Sequence, residues 1–307
     1  MYALQLLLEA TMDKLSPLAK EGELASYIPA LAQANQEDFG ACIYCTDGSV
    51  AKYGDFKKRF TIQSISKVLS FLSCLLDSPR EQVFEKISVE PSPSPFNAIA
   101  DLELHAAGKP LNPMINAGAI AVMEFVAGNT AIEKFARIQN LARHLTGNAN
   151  INCNEDVYTS EQITGDRNRS LAYYMKSIGI IAGKVDDLLE VYFRVCALEM
   201  TCEDLAKIAL TLARGGVDDT GKILLPKEIV QTTCAVMATC GMYNESGLYA
   251  VEVGVPSKSG VGGGILAVVP NKMGIGIYSP ALNEHGTSVC GRALMKALSE
   301  ELSLHIF

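Results

Sequence analysis

Two side chains that can act as a nucleophile and its base stand three residues apart, at Ser64 and Lys67. They open an apolar run in which hydrophobic residues recur at three- and four-residue steps, and this period predicts a helix over 64–76. On a helix, residues three apart are neighbours with Cβ atoms about 5–6 Å apart, so a hydroxyl and an amine can form a hydrogen bond. The pair therefore predicts nucleophilic catalysis by Ser64 with Lys67 as its general base.

The same pattern recurs at Ser49-Val-Ala-Lys52, which tests how specific it is. That segment is typical of a strand, in which positions three apart point to opposite faces, so this second copy is a chance match. The motif alone is therefore weak. A helix N-cap serine beside a solvated lysine is the alternative interpretation of Ser64 and Lys67.

The start of a helix has the electrostatic properties that such a pair needs. The positive end of the helix dipole destabilises a nearby ammonium and favours an oxyanion. A lysine base must lower its pKa from about 10.4 to about 7–8, a change of about 4 kcal/mol that burial and the dipole can supply together. The backbone N–H of Ser64 is also a candidate oxyanion-hole donor, worth about 3–4 kcal/mol.

A second motif, Lys258-Ser-Gly260, precedes the glycine-rich apolar segment VGGGILAVVP. In the penicillin-recognising serine enzymes, Lys-Thr-Gly accompanies Ser-x-x-Lys. The glycines would let a substrate backbone or an acyl carbonyl approach closely. A phosphate loop is a weaker interpretation, because such a loop opens a helix and this segment opens a strand. A plain glycine-rich strand entry is the other alternative.

Other catalytic and binding classes find little support in the sequence. Four histidines are scattered over 307 residues and no Gly-x-Ser-x-Gly occurs, which argues against a Ser-His-Asp triad. Two histidines at metal-binding spacing are absent from the sequence, so no metal is expected. A net charge of -8 without a block of Lys and Arg excludes nucleic acid as the main partner.

The compartment is expected to be the cytoplasm. The N-terminal segment MYALQLLLEATMDKL predicts an amphipathic helix rather than a signal peptide, and no apolar run reaches about 18 residues, so no membrane span is expected. Nine scattered cysteines do not resemble a disulfide framework. Cys42-x-x-Cys45 has the spacing of half a zinc site or a redox pair, but its segment predicts a strand that ends in a turn. Core cysteines are therefore the favoured interpretation.

The elements alternate between short strands and a long helical region. The patterns predict helices over 3–20, 64–76, 228–239 and 288–303, and mostly helix from Asn116 to about 215 with a polar break at 146–168. They predict a hairpin of 39–45 and 49–53 around Asp47-Gly48 and strands at 248–254, 263–269 and 273–279. A turn or loop is expected at 91–97, and turns are expected at Val255-Pro256 and Pro270-Asn271. Neighbouring strands favour an antiparallel sheet with the terminal helices on one face, and the helical region forms the other half, with a ligand cleft between the two.

Six motifs occur in one order and together resemble the serine-dependent, β-lactamase-like glutaminase family: SYIPALA, FTIQSISKVLS, NPMINAGAI, SEQITGDRN, CGMY and PSKSGVGGGI. The resemblance extends from about Gly22 to about residue 295. It implies an α+β fold of the β-lactamase/transpeptidase type, with an antiparallel five-stranded sheet flanked by helices plus an all-helical subdomain. The implied domain is single, 1–307, with an α/β part at about 1–62 and 225–307 and a helical part at about 63–224.

The resemblance also implies an activity, which is hydrolysis of L-glutamine to L-glutamate and ammonia through a γ-glutamyl-serine acyl-enzyme. It implies no cofactor and no metal, and assembly as a homodimer or homotetramer. Ser64 matches the acylated nucleophile and Lys67 its base, while Tyr27 and Tyr243 match phenols near the nucleophile. Tyr243 is the better candidate for protonating the departing ammonia.

The remaining family positions bind substrate, and they match Gln63, Ser64, Asn116, Glu161, Asn168, Tyr192, Tyr243 and Val261. The N–H groups of Val261 and Ser64 would form the oxyanion hole. Glu161 suits the α-ammonium of glutamine, whereas Asn116, Asn168 and Tyr192 can hydrogen-bond its α-carboxylate. Lys258 and Ser259 match the Lys-Ser-Gly element without an assigned role.

Each of these residues taken singly also has a purely structural interpretation, as a helix cap, part of a solvated face or a core aromatic. At the level of function, another serine amidohydrolase of the β-lactamase-like superfamily is the alternative, and a β-lactamase or penicillin-binding enzyme is one form of it. The sequence has no Ser-Asp-Asn motif, which argues against that form. A non-catalytic, ligand-binding relative is the other alternative.

Overall fold

The computed structural model describes residues 2–26, 28–92, 97–99, 102 and 108–307. Tyr27 and most of the proline-rich segment predicted as a turn or loop, at 93–96, lie outside these residues. The strands are β1 Gly40–Cys45, β2 Val50–Gly54, β3 Phe60–Thr61, β4 Glu199–Met200, β5 Ser257–Ser259, β6 Gly264–Val269 and β7 Met273–Tyr278. The helices are α1 Tyr2–Leu15, α2 Ser66–Asp77, α3 Arg80–Lys86, α4 Asn116–Val122, α5 Ala131–Thr146, α6 Glu155–Thr164, α7 Asp166–Ser177, α8 Val185–Cys196, α9 Cys202–Ala213, α10 Lys227–Cys240, α11 Ser246–Glu252 and α12 Val289–Leu302.

Five strands form one antiparallel sheet in the order β2-β1-β7-β6-β5, which confirms the predicted sheet. The central strand β7, MGIGIY, alternates glycine with isoleucine. A Cβ at Gly274 would lie 2.1 Å from the backbone N of Leu210, and one at Gly276 would lie 2.2 Å from the carbonyl O of Cys202. Because side chains alternate between the faces of a strand, the glycine face admits helix α9 into close contact with the sheet.

The opposite face of the sheet carries the isoleucines and is covered by the first and last helices, as predicted. Ile275 shares a buried apolar cluster with Leu8 of α1 and with Leu294 and Leu298 of α12. Burial of such side chains stabilises the fold by about 1.5–3 kcal/mol each relative to exposure. The predicted hairpin is also confirmed, with β1 and β2 joined by a turn in which Gly48 has a φ of 87°.

A second apolar cluster fills the helical half of the molecule. It contains buried side chains of α2, α4, α5 and α8, including Phe71, Ile120, Ile138 and Phe193. Helix α9 belongs to the predicted helical part of the chain, yet it lies on the sheet. The division of the chain near residues 62 and 225 stays a prediction.

The predicted strand at 248–254 is wrong, because residues 248–252 belong to helix α11. Its apolar residues alternate as in a strand, but Leu248 and Val251 are 55% and 76% exposed, so the pattern does not mark a buried face. Tyr249 is the residue that faces the core, and its carbonyl accepts the N–H of Val253 at 2.8 Å. The third strand of this region is β5, whose Ser-Lys-Ser sequence carries no strand signal.

The predicted polar break at 146–168 is also wrong in extent, since α6 and the start of α7 lie within it. Both helices expose most of their polar residues, and this made the helical spacing of their apolar residues hard to recognise in the sequence. A local signal was present, because the side chain of Asn154 accepts the N–H of Val157 at 3.0 Å as an N-cap.

The nine cysteine thiols are unpaired, and most are buried. Cys42 and Cys45 lie on strand β1 in the core, as predicted. Burial raises the pKa of the Cys42 and Cys74 thiols to about 12. None of the helices in the described ranges is long and apolar enough to cross a membrane.

Candidate active site

Ser64 and Lys67 lie side by side at the start of helix α2. The Lys67 amine donates a hydrogen bond to the Ser64 hydroxyl, with an Nζ–Oγ distance of 2.6 Å. The predicted contact is therefore confirmed, with one difference in the backbone: Ser64 belongs to a 3₁₀ turn, Gln63–Ile65, and the α-helix begins at Ser66. Ser64 and Lys67 lie on either side of this change, and their three-residue spacing still places the two side chains next to each other.

The turn that presents Ser64 is strained at Gln63. This residue has a φ of 46°, in the left-handed region that side chains other than glycine rarely adopt. Its side chain donates to the Thr61 hydroxyl at 3.2 Å, and the preceding residue, Ile62, donates its N–H to the Leu198 carbonyl. Strain of this kind costs about 1–3 kcal/mol and is common at functional sites, where the surrounding structure imposes it.

The glycine-rich segment after β5 packs against the chain that leads to Ser64. A Cβ at Gly260 would lie 2.6 Å from the carbonyl O of Ile62, and one at Gly262 would lie 2.4 Å from that of Thr61. The close approach predicted for a substrate or acyl carbonyl at these two glycines is thus made by the protein's own backbone. Val261, between them, lines the cavity described below.

Lys67 is almost fully enclosed, and its environment favours the neutral amine. The side chain is 1% exposed, and burial lowers its pKa from 10.5 to about 8. Besides Ser64, the amine donates to Oδ1 of Asn116 at 2.9 Å, and it lies 6.0 Å from the centroid of the Tyr192 ring. This pKa is close to the value of about 7–8 that a lysine base needs near neutral pH.

A chain of hydrogen bonds continues from Lys67 through two asparagines. Nδ2 of Asn116 donates to Oδ1 of Asn168 at 2.9 Å. Asn116 begins α4 and Asn168 lies in the first turn of α7, so the chain ties three helices together at the site. The amide of Asn116 is held at both ends, with its oxygen toward Lys67 and its nitrogen toward Asn168.

A cavity of about 90 Å³ opens onto Ser64 and collects most of the predicted substrate-binding residues. Its lining includes the predicted residues Gln63, Ser64, Asn116, Glu161, Asn168, Tyr192 and Val261. It also includes residues that the sequence did not single out, namely Ile28, Asn97, Thr164, Gly165, Arg167 and Cys196. Helical spacing from Glu161 to Thr164 and Asn168 would have indicated part of this set, had the helices there been recognised.

Glu161 is a buried carboxyl at the end of helix α6. It is 7% exposed, and burial raises its pKa to about 7, although Lys67 and a hydrogen bond with Gln63 oppose the shift. Helices α6 and α7 meet at Gly165, where a Cβ would lie 2.5 Å from the Phe193 ring. This tight corner brings Glu161 and Asn168 to the same end of the cavity.

Tyr243 lies on the other side of Ser64, in a second strained turn with a φ of 55°. Burial raises its pKa to about 12, and a side-chain hydrogen bond with Ser64 opposes that shift. The phenol also donates to the carbonyl O of Ser259 at 3.3 Å. Tyr27, the other predicted phenol, lies outside the described residues.

Lys258 contacts the ring of Tyr243 and does not line the cavity. Its amine is fully buried, donates to the carbonyls of Gly241 at 2.9 Å and Ser259 at 2.7 Å, and lies 4.2 Å from the centroid of the Tyr243 ring. Burial and the nearby charge of Lys67 lower its pKa well below the usual value. Within the described part of the chain, no cluster of three His, Cys, Asp or Glu side chains could hold a metal ion.

Comparisons with known proteins agree with this fold. The glutaminase family profile matches residues 22–307. A glutaminase of Clostridium tetani (strain Massachusetts / E88) is 50% identical over 301 residues, which cover 98% of this chain and 98% of that protein. A probable glutaminase of Bacillus subtilis superposes with a TM-score of 0.93 at 38% identity, covering 100% of this chain and 99% of that one.

A further solved structure contains a covalent complex between the Bacillus subtilis glutaminase and 5-oxo-L-norleucine, formed by reaction with 6-diazo-5-oxo-L-norleucine. It superposes with a TM-score of 0.90 at 39% identity and covers 99% of each chain. The family resemblance stated from the sequence motifs is confirmed, and so is the expected α+β fold of the β-lactamase type. This chain belongs to the glutaminase family.

Proposed function

We propose that this chain hydrolyses the side-chain amide of L-glutamine to L-glutamate and ammonia, and that Ser64 and Lys67 carry the reaction through a γ-glutamyl-serine acyl-enzyme. The observation that carries the proposal is the 2.6 Å hydrogen bond between the Lys67 amine and the Ser64 hydroxyl. Because burial lowers the pKa of Lys67 to about 8, a usable fraction of the amine is neutral near physiological pH.

Acylation begins when neutral Lys67 takes the proton of Ser64 as its oxygen attacks the amide carbon. The ammonium that forms has an acceptor in place, because Oδ1 of Asn116 lies 2.9 Å from Nζ. A charge-assisted hydrogen bond of this kind is about twice as strong as a neutral one, so Asn116 stabilises the protonated base as it forms.

The developing oxyanion needs donors that point into the cavity. Among the described residues, the N–H of Val261 has no hydrogen-bond acceptor, and Val261 borders the cavity beside Ser64. Together with the N–H of Ser64 it would form the oxyanion hole, in which each donor is worth about 3–4 kcal/mol. The tight packing of Gly260 and Gly262 against 61–62 would hold Val261 rigidly in this position.

The amide nitrogen must be protonated as the carbon–nitrogen bond breaks, so that it leaves as ammonia. Tyr243 and Lys67 are the candidates, since both hydrogen-bond with Ser64. Lys67 returns to its neutral form by either route, because a proton given up by Tyr243 is replaced from the Lys67 ammonium. Water then attacks the acyl-enzyme while neutral Lys67 accepts its proton, and this proton passes to the Ser64 oxygen as glutamate leaves. Glu161 would pair with the α-ammonium of the substrate, which places the amino-acid end of glutamine at the corner of α6 and α7. Covalent capture of 5-oxo-L-norleucine by the Bacillus subtilis relative supports a nucleophile in this fold.

The decisive experiment measures glutamate release from L-glutamine by wild-type protein and by Ser64→Ala and Lys67→Ala. We expect a loss of at least about 1,000-fold in kcat for either variant, because nucleophile and base act as one unit. The chain supplies a matched control in the chance copy of the motif: Ser49→Ala removes the hydroxyl of a turn residue and should leave the rate unchanged. Unchanged rates in Ser64→Ala would refute the proposed nucleophile.

Two further properties belong to the same proposal. We propose the cytoplasm as the compartment, because nine unpaired cysteines suit a reducing environment. We also propose a homodimer or homotetramer, as the family resemblance implies. Light scattering that gave a 32.9 kDa particle at working concentration would contradict the assembly.

A further inference from the structure

Arg167 is a cation at the edge of the cavity for which the mechanism above has no use. It lies in the first turn of α7, directly before Asn168, and lines the same cavity as Ser64 and Glu161. Its side chain is exposed to solvent, and the sequence motifs did not single it out. Among the described residues that line the cavity, it is the one arginine, and none of them is a lysine.

One hydrogen bond holds the Arg167 side chain at this edge. Nε donates to the carbonyl O of Asn97 at 2.9 Å, and Asn97 also lines the cavity. Within the described ranges, neither terminal nitrogen of Arg167 has a hydrogen-bond or ion-pair partner. Most donors of the guanidinium therefore remain available in a planar fork, which is the geometry that matches a carboxylate.

The neutral side chains that line the cavity can hydrogen-bond a carboxylate but carry no charge to balance it. Asn116 already accepts from Lys67 and donates to Asn168. Lys67 must be neutral to act as the base, so it cannot serve as the partner of an anion in the same state. The α-carbon of glutamine carries one positive and one negative group. Among the described residues that line the cavity, the charged side chains are one acid, Glu161 on α6, and one base, Arg167 on α7.

We propose that Arg167 is a specificity-determining residue that binds the α-carboxylate of L-glutamine through its terminal nitrogens. Glu161 then holds the α-ammonium, so the charges of Glu161 and Arg167 together select a zwitterionic amino-acid end. Ser64 attacks the side-chain amide at the other end of the substrate. This inference rests on the proposed function and deepens it. It makes Asn168 a neutral auxiliary donor to the same carboxylate.

The test compares Arg167→Gln with Arg169→Gln by steady-state kinetics on L-glutamine. Arg169 is the matched control because it lies one residue beyond Asn168 on the same helix, pairs with Asp166 and does not line the cavity. We expect Arg167→Gln to raise KM about tenfold with kcat within about threefold of wild type, as loss of a charge-assisted contact to bound substrate requires. Arg169→Gln should match wild type, and Arg167→Lys should recover part of the affinity.

A second readout separates binding of the carboxylate from a structural role. L-glutamine α-amide keeps the ammonium and the side-chain amide but lacks the α-carboxylate. We expect the preference for L-glutamine over this α-amide, as a ratio of kcat/KM, to shrink about tenfold in Arg167→Gln. An unchanged KM for L-glutamine in Arg167→Gln overturns the inference, and so does an equal loss on both substrates. If the α-amide is not turned over at all, the KM result alone decides.

Failure of the inference is distinguishable from failure of the proposed function. If wild type hydrolyses L-glutamine and Ser64→Ala does not, the function stands whatever Arg167→Gln does. If wild type does not release glutamate, the proposed function itself fails.

Discussion

Replacing Asn116 by aspartate is the sharpest perturbation of the proposed base. The change is nearly isosteric and puts a carboxylate where the amide oxygen lies, 2.9 Å from the Lys67 amine. At an effective dielectric constant of about 20, a full charge at that distance stabilises the ammonium by about 6 kcal/mol, or about 4 pKa units. Burial destabilises the new carboxylate and removes part of this effect, so we expect the Lys67 pKa to rise by at least about 2 units.

The consequence is a loss of neutral base. With a pKa of about 8, about a tenth of Lys67 is neutral at pH 7, and a rise of about 2 units leaves about a thousandth. We therefore expect kcat at pH 7 to fall about 100-fold in Asn116→Asp, and the acid limb of the pH–rate profile to move up by about 2 units.

The assay is kcat for L-glutamine from pH 6 to pH 10, with Asn116→Ala as the control. Both variants lose the hydrogen bond to Asn168, but only aspartate adds charge. An acid limb with the same midpoint in wild type and Asn116→Asp would refute Lys67 as a base that must be neutral.

Three other perturbations follow from the same contacts. Because burial raises the pKa of Glu161 to about 7, its carboxylate is neutralised as pH falls through that value, so KM for L-glutamine should rise below pH 7 and Glu161→Gln should abolish this dependence. Gly262→Ala, whose Cβ would lie 2.4 Å from the Thr61 carbonyl, should lower the free energy of unfolding by about 1–3 kcal/mol, whereas Gly247→Ala, with nothing within 4 Å, should not lower it. Thr201→Ala breaks the capping box of α9 and should lower the free energy of unfolding, measured with denaturant, by about 1 kcal/mol. It should not move the midpoint of the acid limb of the pH–rate profile.

The parts of the fold predicted correctly are those set by local chemistry. The turn at Asp47-Gly48 defines its hairpin, because glycine supplies the positive φ that the turn needs. The contact between Ser64 and Lys67 follows from three-residue spacing at a helix start. Both features depend on residues close in sequence, so the sequence is sufficient to predict them.

The errors occurred where tertiary context decides. The segment of α11 carries apolar residues on its solvent face, so alternation misled the prediction of a strand there. Strand β5 has three residues and a polar sequence, and only its place at the edge of the sheet makes it a strand. Arg167 was missed because its proximity to Ser64 arises from the meeting of α6 and α7 at Gly165, and no single-sequence pattern predicts that meeting.

The buried thiols give the molecule a chemical reporter of its own integrity. Alkylating reagents attack thiolates, and the raised pKa of Cys42 and Cys74 keeps both groups protonated and shielded while the chain is folded. Because Cys42 sits in the sheet and Cys74 in the helical half, labelling at each position followed by mass spectrometry would time the opening of the two halves separately. A preparation that reacts slowly at both sites is intact throughout, before any substrate is added.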